Sequence, residues 1–379
     1  MCRCYRHKIR DKLKQMAFKP DKPYNDLPKL PPQVNLETST VLKKAIQANR
    51  ELAELKGKAG IIPNQGILIN SLILKEAKAS SEIENVVTTN DKLYEAFTAG
   101  DKNYDPQTKE VLRYREALWK GFNQLNERPL STNLFIDIVQ TIKRNESGIR
   151  DTPGTVIANP NTNKIIYRPP EGEELIRDLL GNLETFIHSD DDDLDPLVKM
   201  SVIHYQFEAI HPFDDGNGRT GRIINILYLV LEELLTLPVL YMSGYIISRK
   251  ADYYRLLRKV TEEEDWESWI LFMLEAVEKT ARETTAKIEA ISALLEETVE
   301  EAKAKLPDRV YSKELIEVLF EQPYCKIKFL VDKGIAQRQT AGDYLNELEE
   351  IGILKSKKSG REKLYLNTAL YELLSGEEF

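Results

Sequence analysis

Cysteine is scarce: only Cys2, Cys4 and Cys325 occur in 379 residues. So small and odd a number builds no disulfide framework and fits a reducing compartment. Long hydrophobic runs are missing too; no stretch approaches the roughly eighteen apolar residues of a membrane-spanning helix. The start, Met1-Cys-Arg-Cys-Tyr-Arg-His-Lys-Ile-Arg10, lacks the apolar core of a secretory signal. These absences point to a cytoplasmic protein with no membrane partner. An excess of basic charge is also lacking, because 53 Lys and Arg against 61 Asp and Glu leave a net charge of −8. That balance argues against a general nucleic-acid binder, although not against a local basic patch. Cys2, Cys4 and His7 make a poor metal site, since Cys-x-Cys is tighter than usual zinc spacing and a fourth ligand is missing. A frayed basic arm is the expectation there. With 42% apolar and 30% charged residues, the chain reads as globular and long enough for two or three domains.

What the sequence does have is concentrated in twelve residues, His211-Pro-Phe-Asp-Asp-Gly-Asn-Gly-Arg-Thr-Gly-Arg222. The segment before it, residues 197–210, has apolar side chains at helical spacing, and the segment after it, 223–231, is apolar almost all round. The motif is therefore expected as a loop between two core helices. Gly216 and Gly218 flank Asn217 and let the backbone approach a ligand closely. Their amides would open the second helix, where unpaired donors and the helix dipole favour an anion. Arg219 and Arg222 add forked donors suited to phosphate oxygens. Asp215 is placed to hold Mg²⁺ against a polyphosphate, because that ion takes one or two carboxylates plus phosphate oxygens. His211 can accept a proton near neutral pH. The set reads as phosphoryl or nucleotidyl transfer.

These residues resemble the Fic motif, His-Pro-Phe-x-(Asp/Glu)-Gly-Asn-Gly-Arg-x-x-Arg, at every fixed position. The resemblance implies a mainly helical bundle that transfers AMP from ATP to a protein hydroxyl. Position by position, it implies that His211 deprotonates the target and Asp215 binds Mg²⁺. Gly216, Asn217 and Gly218 would form the anion hole, and Arg219 and Arg222 would hold the terminal phosphates. Phe213 and Asp214 fall among the nucleotide-binding positions as well.

Residues 1–35 become proline-rich from Pro20 and suggest an extended arm lying on a domain. A helix is expected from near Thr38, with Leu42, Ala45, Ile46, Leu52 and Leu55 on one face and its end at Gly57 and Gly60. The next runs from about Gln65 into Ser80-Ser-Glu-Ile-Glu-Asn85, where Ser80 and Glu84 share a face. Alone, that spacing describes a solvated helix. Beside the Fic motif it resembles the family's inhibitory sequence, (Ser/Thr)-x-x-x-Glu-(Gly/Asn), in the class that places it before the catalytic motif. The resemblance implies that Glu84, flanked by Ser80 and Asn85, pairs with Arg222 and displaces the γ-phosphate of ATP. Residues 36–100 are read as this N-terminal helical region and 101–260 as the catalytic core.

Further helices are expected at about 107–126, with Val111, Tyr114, Leu118 and Phe122 on one face, and at 131–144, capped by Ser131. Two β-prone runs, 148–158 and 164–170, separated by Asn159-Pro-Asn-Thr-Asn163, signal a hairpin. Its place resembles the Fic flap, which implies a target protein held along residues 154–168 by strand addition. A helix at about 172–188 precedes Asp190-Asp-Asp-Asp-Leu-Asp195, a solvated loop without the glycine and glutamate of an EF-hand. Residues 241–255 resemble the part of Fic proteins that closes the nucleotide pocket. There Tyr253 or Tyr254 could stack on adenine, and Arg249 stands where relatives often carry asparagine; Arg249 and Tyr254 are taken as nucleotide residues. Trp266, Trp269, Ile270, Met273, Leu274 and Val277 mark an amphipathic helix, extended by Ile288, Ile291, Leu295 and Val299 through a connecting region, 261–306. That stripe either packs on the core or forms a homodimer seam.

Residues 307–379 read as a small domain of three helices and a β-wing, resembling a winged helix–turn–helix. The basic turn 355–363 could touch phosphates. The presumed recognition helix, however, carries Asp343, Glu347, Glu349 and Glu350 against Arg338, which disfavours DNA and leaves protein contact or dimerisation as the better reading. The leading functional expectation is an autoinhibited protein adenylyltransferase that modifies a target or itself. The alternatives are removal of AMP with Glu84 orienting water, and a DNA-binding regulator whose Fic module senses nucleotide.

Overall fold

The computed structural model describes residues 18–61, 64–100, 104–158, 162–190, 193–359 and 362–376. The Cys2, Cys4 and His7 group lies outside these residues, as do residues 159–161 of the hairpin turn and Asp191 and Asp192 of the acidic run.

Helical spacing of apolar side chains sets nearly every element. The first helix, α1 (Ser39–Ile61), begins where expected but runs through Gly57 and Gly60. A Cβ at either glycine would meet nothing within 4 Å, so each costs only helix propensity, about 1 kcal/mol. Its buried stripe is Val41, Ala45, Ala48, Leu52 and Leu55, whereas Leu42 and Ile46 are 40% and 70% exposed. Two apolar stripes lie side by side in this segment, and packing rather than periodicity selects between them.

Next come α2 (Gln65–Ile83), α3 (Asn90–Ala99), α4 (Pro106–Gln124) and α5 (Thr132–Lys143). Val111, Tyr114 and Leu118 of α4 are buried, as are Leu134, Phe135, Ile138 and Ile142 of α5. Ser131 occupies the N-cap position of α5 without a side-chain cap bond. The carboxylate of Glu184 accepts from the Thr132 N–H at 2.7 Å instead. The two β-prone runs contract to β1 (Ile157–Ala158) and β2 (Ile165–Tyr167), antiparallel with Ile157 opposite Tyr167.

After the hairpin follow α6 (Glu173–Ile187), α7 (Pro196–Ile210), α8 (Asn217–Leu231), α9 (Met242–Ser248) and α10 (Lys250–Glu263). A single helix of 40 residues, α11 (Trp266–Lys305), comes next. Its expected stripe from Trp266 to Val277 is buried throughout. The C-terminal elements are α12 (Lys313–Val318), β3 (Tyr324–Cys325), α13 (Ile327–Asp332), α14 (Arg338–Glu350), β4 (Lys355–Ser359), β5 (Glu362–Leu366) and α15 (Thr368–Ser375). Their strands form one antiparallel sheet in the order β3-β5-β4. Three helices and a hairpin follow the sequence expectation; the two-residue β3 and the closing α15 were not foreseen.

The chain forms two compact units. The first comprises the described residues of Met1–Asn49, Ala117–Glu232 and Ser248–Ala276; the second is Arg50–Glu116, Glu233–Ile247 and the described residues of Val277–Phe379. In the first, α7 is buried on nearly every face, with its polar Lys199, Ser201, His204 and Gln206 enclosed along with its apolar residues. The Trp269 indole N–H donates to the Ser201 carbonyl at 2.8 Å. The segment before α1 lies extended, its backbone held by Asn182, which bonds both the Leu30 N–H (2.8 Å) and the Leu30 carbonyl (3.1 Å). In the second unit Glu76 of α2 is 1% exposed. Its carboxylate accepts from the Tyr114 hydroxyl at 3.1 Å, the Ser243 N–H at 2.9 Å and the Ser243 hydroxyl. A buried carboxylate satisfied in this way fixes the register of α2, because any slip would strand the charge.

Candidate functional site

The twelve-residue motif lies in the first unit and is shaped by its own side chains. α7 ends because His211 adopts a left-handed conformation (φ 50, ψ 59) while its N–H still bonds the Phe207 carbonyl. Histidine is among the few non-glycine residues enriched in that region. Asn217 then closes the loop: its side-chain oxygen accepts from the Phe213 N–H at 2.8 Å and its amide donates to the Phe213 carbonyl at 2.6 Å. The Phe213 ring is fully buried, 6.2 Å from Phe207, so at this position the backbone rather than the ring faces the loop. Gly216 takes φ 87 at the N-cap of α8, and a Cβ there would sit 3.0 Å from Val139 Cγ2. Conformation and space both demand glycine. The first-turn amides of α8 have no intrahelical acceptor, and they lie at the positive end of its dipole.

The charges are arranged around that helix start. Arg219 and Arg222 are 2% and 3% exposed, so their guanidiniums are held within the fold. Asp215 is open, pairing with Lys143 at 2.5 Å and with Arg219 at 3.6 Å. Burial pushes the Asp215 carboxyl up, but the hydrogen bond and charge of Lys143, with Arg219, outweigh it and hold the group below its ordinary value. Asp214 is exposed. Among the described residues no group of three or more His, Cys, Asp or Glu could hold a metal ion. Mg²⁺ bound to a polyphosphate needs only one or two carboxylates, and the open carboxylate of Asp215 fits that demand.

Arg150 carries no signal in the sequence, yet it holds the histidine turn in place. Its Nε donates to the His211 carbonyl at 2.7 Å, its guanidinium also reaches the Ile210 and Pro170 carbonyls, and its N–H meets the Pro212 carbonyl at 2.9 Å. It is 2% exposed, and burial lowers its pKa from the ordinary arginine value. Arg150→Ala is expected to leave two or three buried carbonyls without their donor, destabilising the first unit by about 2–4 kcal/mol. Urea unfolding of Arg150→Ala beside Arg150→Lys checks this; equal stability of the alanine variant and the parent would dismiss the clamp.

Beneath the motif, His204 is fully buried between Tyr253, whose hydroxyl meets Nε2 at 2.8 Å, and Asn225, which meets Nδ1 at 3.0 Å. Its ring stacks on Trp269 at 6.0 Å. Burial, and then the charge of Arg222, push its pKa down to about 3 from 6.5. The folded state keeps this ring neutral, so its contribution is complete above pH 6.5 and is lost as pH falls towards 3. Stability should drop by about 1.4 kcal/mol per pH unit in that window from this group alone. Urea midpoints at pH 7, 6, 5 and 4 should therefore fall more steeply in the parent than in His204→Gln; parallel curves would reject the assignment.

The same contact separates the two tyrosines. Tyr253 is 1% exposed and belongs to the core, whereas Tyr254 is 44% exposed and meets Tyr253 edge-on at 5.1 Å. Arg249 stands at the N-cap of α10 and pairs with Glu275 at 3.9 Å. The hairpin is tied to the motif helix by the Tyr167 hydroxyl, which donates to the Ala209 carbonyl at 2.8 Å.

Ser80, Glu84 and Asn85 belong to the second unit. Ser80 is fully buried in α2 and Glu84 is its C-cap residue. Asn85 takes φ 63, and the Val86 N–H returns to the Ser81 carbonyl at 3.0 Å, the bond of a Schellman end. A left-handed residue at position 85 accounts physically for glycine or asparagine there. In the C-terminal hairpin, Lys357 pairs with Asp91 at 3.1 Å and Glu95 at 2.8 Å, while Lys363 pairs with Glu349 at 2.9 Å. Glu347 of α14 meets Arg309 at 2.5 Å.

Three family models match in succession: Fic/DOC family N-terminal over residues 42–123, Fic/DOC family over 129–229, and the C-terminal domain of protein adenylyltransferase SoFic-like over 294–370. The chain belongs to the Fic/DOC family. It is 30% identical over 117 residues to a protein adenylyltransferase Fic of Nematostella vectensis, a match covering 30% of this chain and 25% of that protein. It is 29% identical over 136 residues to a probable protein adenylyltransferase of Aquifex aeolicus, covering 36% of this chain and 33% of the relative. A crystal structure of a Fic family protein from Desulfovibrio desulfuricans G20 shares the fold, with a TM-score of 0.58 at 20% identity over 89% of this chain and 98% of that one. Fic-1 of C. elegans follows with a TM-score of 0.51 at 15% identity, over 66% of this chain and 75% of that one. Among the described residues no helix is long and apolar enough to cross a membrane.

Proposed function

We propose that this chain is a protein adenylyltransferase that moves AMP from ATP to a Ser, Thr or Tyr hydroxyl of a target protein or of itself. One observation carries the reading: a left-handed histidine ends one buried helix, and five residues later a glycine in left-handed conformation opens the next, with Asn217 cross-bracing the turn between them. In this reading the His211 imidazole takes the proton of the target hydroxyl. The hydroxyl oxygen bonds to the α-phosphorus of ATP, the bond from that phosphorus to the bridging oxygen breaks, and pyrophosphate leaves. The amides of Gly216, Asn217 and Gly218 receive the developing negative charge, with Arg219 and Arg222 on the terminal phosphates. Asp215 would hold Mg²⁺, which supplies positive charge against the polyphosphate. Arg249 and Tyr254 would border the nucleotide, and the 154–168 hairpin would hold the target's backbone.

Glu84 acts as the inhibitor in this proposal by pairing with Arg222 and repelling the γ-phosphate. The test is the intact mass of Glu84→Gly protein after incubation with ATP and Mg²⁺. A gain of one AMP is expected; no gain at any Mg²⁺ concentration overturns the reading. The DNA-regulator alternative is weakened by the ion pairs of Lys357, Lys363 and Glu347, which tie both the hairpin and α14 into contacts within the chain. A cytoplasmic location remains part of the proposal.

A further inference from the structure

The second unit contains a cavity of about 430 Å³ unrelated to the motif. It is lined by Leu72 and Lys75 of α2, Tyr241, Thr284 and Lys287 of α11, and Leu373 of α15. That volume lies in the range of small-molecule sites. We propose that it binds a small organic anion, with the anionic headgroup between Lys75 and Lys287 and the apolar body against Leu72 and Leu373.

Three features support this. First, the two lysines line the same cavity, and the charge of Lys75 lies near Lys287. Two ammonium groups half-withdrawn from water repel one another, and an anion converts that repulsion into attraction. Lys75 sits 4.5 Å over the Tyr241 ring, and Lys287 also donates to the Leu373 carbonyl at 2.8 Å. Both cations are thus held in place before a ligand arrives. Second, Glu283 is the acidic residue lining the cavity and is exposed, so two cationic side chains stand there against one carboxylate that is open to solvent. Third, the Thr284 hydroxyl is 3% exposed and has no hydrogen-bond partner. A buried hydroxyl left unsatisfied costs about 1–3 kcal/mol, a penalty that a ligand oxygen in the cavity would remove.

Burial, and then the neighbouring charge of Lys75, push the pKa of Lys287 down to about 8. The other charged or titratable groups facing the pair are Lys78 of α2, Glu283 of α11 and Tyr241, whose pKa burial raises. An anion prefers the protonated lysine. Affinity should therefore be full below pH 8 and weaken by about tenfold for each unit above it, until that proton is lost.

The experiment is calorimetric titration of the full chain with phenyl phosphate, benzoate, inorganic phosphate and benzylamine. Saturable binding of phenyl phosphate or benzoate at pH 7 is expected, with the tighter of the two identifying the headgroup. Affinity should fall at least tenfold in the Lys75→Gln/Lys287→Gln double variant, about threefold or more in Thr284→Val, and about tenfold at pH 9. The Arg219→Ala variant should retain it. Benzylamine binding as well as the anions, or anion affinity untouched by the lysine and threonine variants but lost with Arg219→Ala, overturns the proposal. Thr284→Val is isosteric and keeps the test valid should the double variant not fold.

Discussion

His211→Ala is expected to lower AMP transfer by ~10²–10⁴-fold, the usual loss when a general base is deleted. Alanine also changes the turn, because position 211 is left-handed and alanine pays about 1–2 kcal/mol to stay there. His211→Asn separates the two effects, since asparagine tolerates that conformation but removes no proton at neutral pH. Both variants should be inactive in a labelled-ATP assay, and the asparagine variant should keep the parent's unfolding midpoint. Residual activity above a tenth of the parent in His211→Asn would mean that the ring does not act as the base.

Glu84→Gly should act in the opposite direction, raising self-modification by ~10–100-fold. The basis is the proposed pairing with Arg222: opposite charges at 4 Å attract by at most ~4 kcal/mol at an effective dielectric of 20, and desolvation removes part of that. The net 1–3 kcal/mol corresponds to the expected range. Glycine suits the end of α2, where the chain already turns through Asn85 into a Schellman bond. Glu84→Gln keeps the side chain's length without its charge and should reach an intermediate rate. If Glu84→Gly modified itself no faster than the parent, autoinhibition by this residue would be refuted, while the transfer chemistry would stand or fall separately on His211.

The motif was legible because its residues serve each other locally. Asn217 braces Phe213, Gly216 needs both its φ and its empty Cβ position, and His211 ends its own helix; all of this lies within a few positions of chain. Long stripes were equally readable, as from Trp266 to Val277, where no competing face exists. Legibility failed where the partner is distant in sequence. Nothing about Arg150 or Lys143 sets them apart from other surface-type cations, yet one is buried beneath the histidine turn and the other is bound to Asp215. On α1 the sequence offered Leu42 and Ile46 as core, but Val41 and Ala48 are what packing encloses. The closing α15 spans eight residues, too few for periodicity to register beside the strand before it.

Gly221 occupies a variable place in the motif pattern, but a Cβ there would lie 2.7 Å from Glu208 Oε1, 3.1 Å from the Phe207 ring and 3.4 Å from His204. The approach of α7 to α8 is thus set by an atom that is not there. Transplanting a relative's loop with a bulkier residue at 221 would splay the helices unless positions 204, 207 and 208 were exchanged with it, so the smallest transferable cassette is the helix pair.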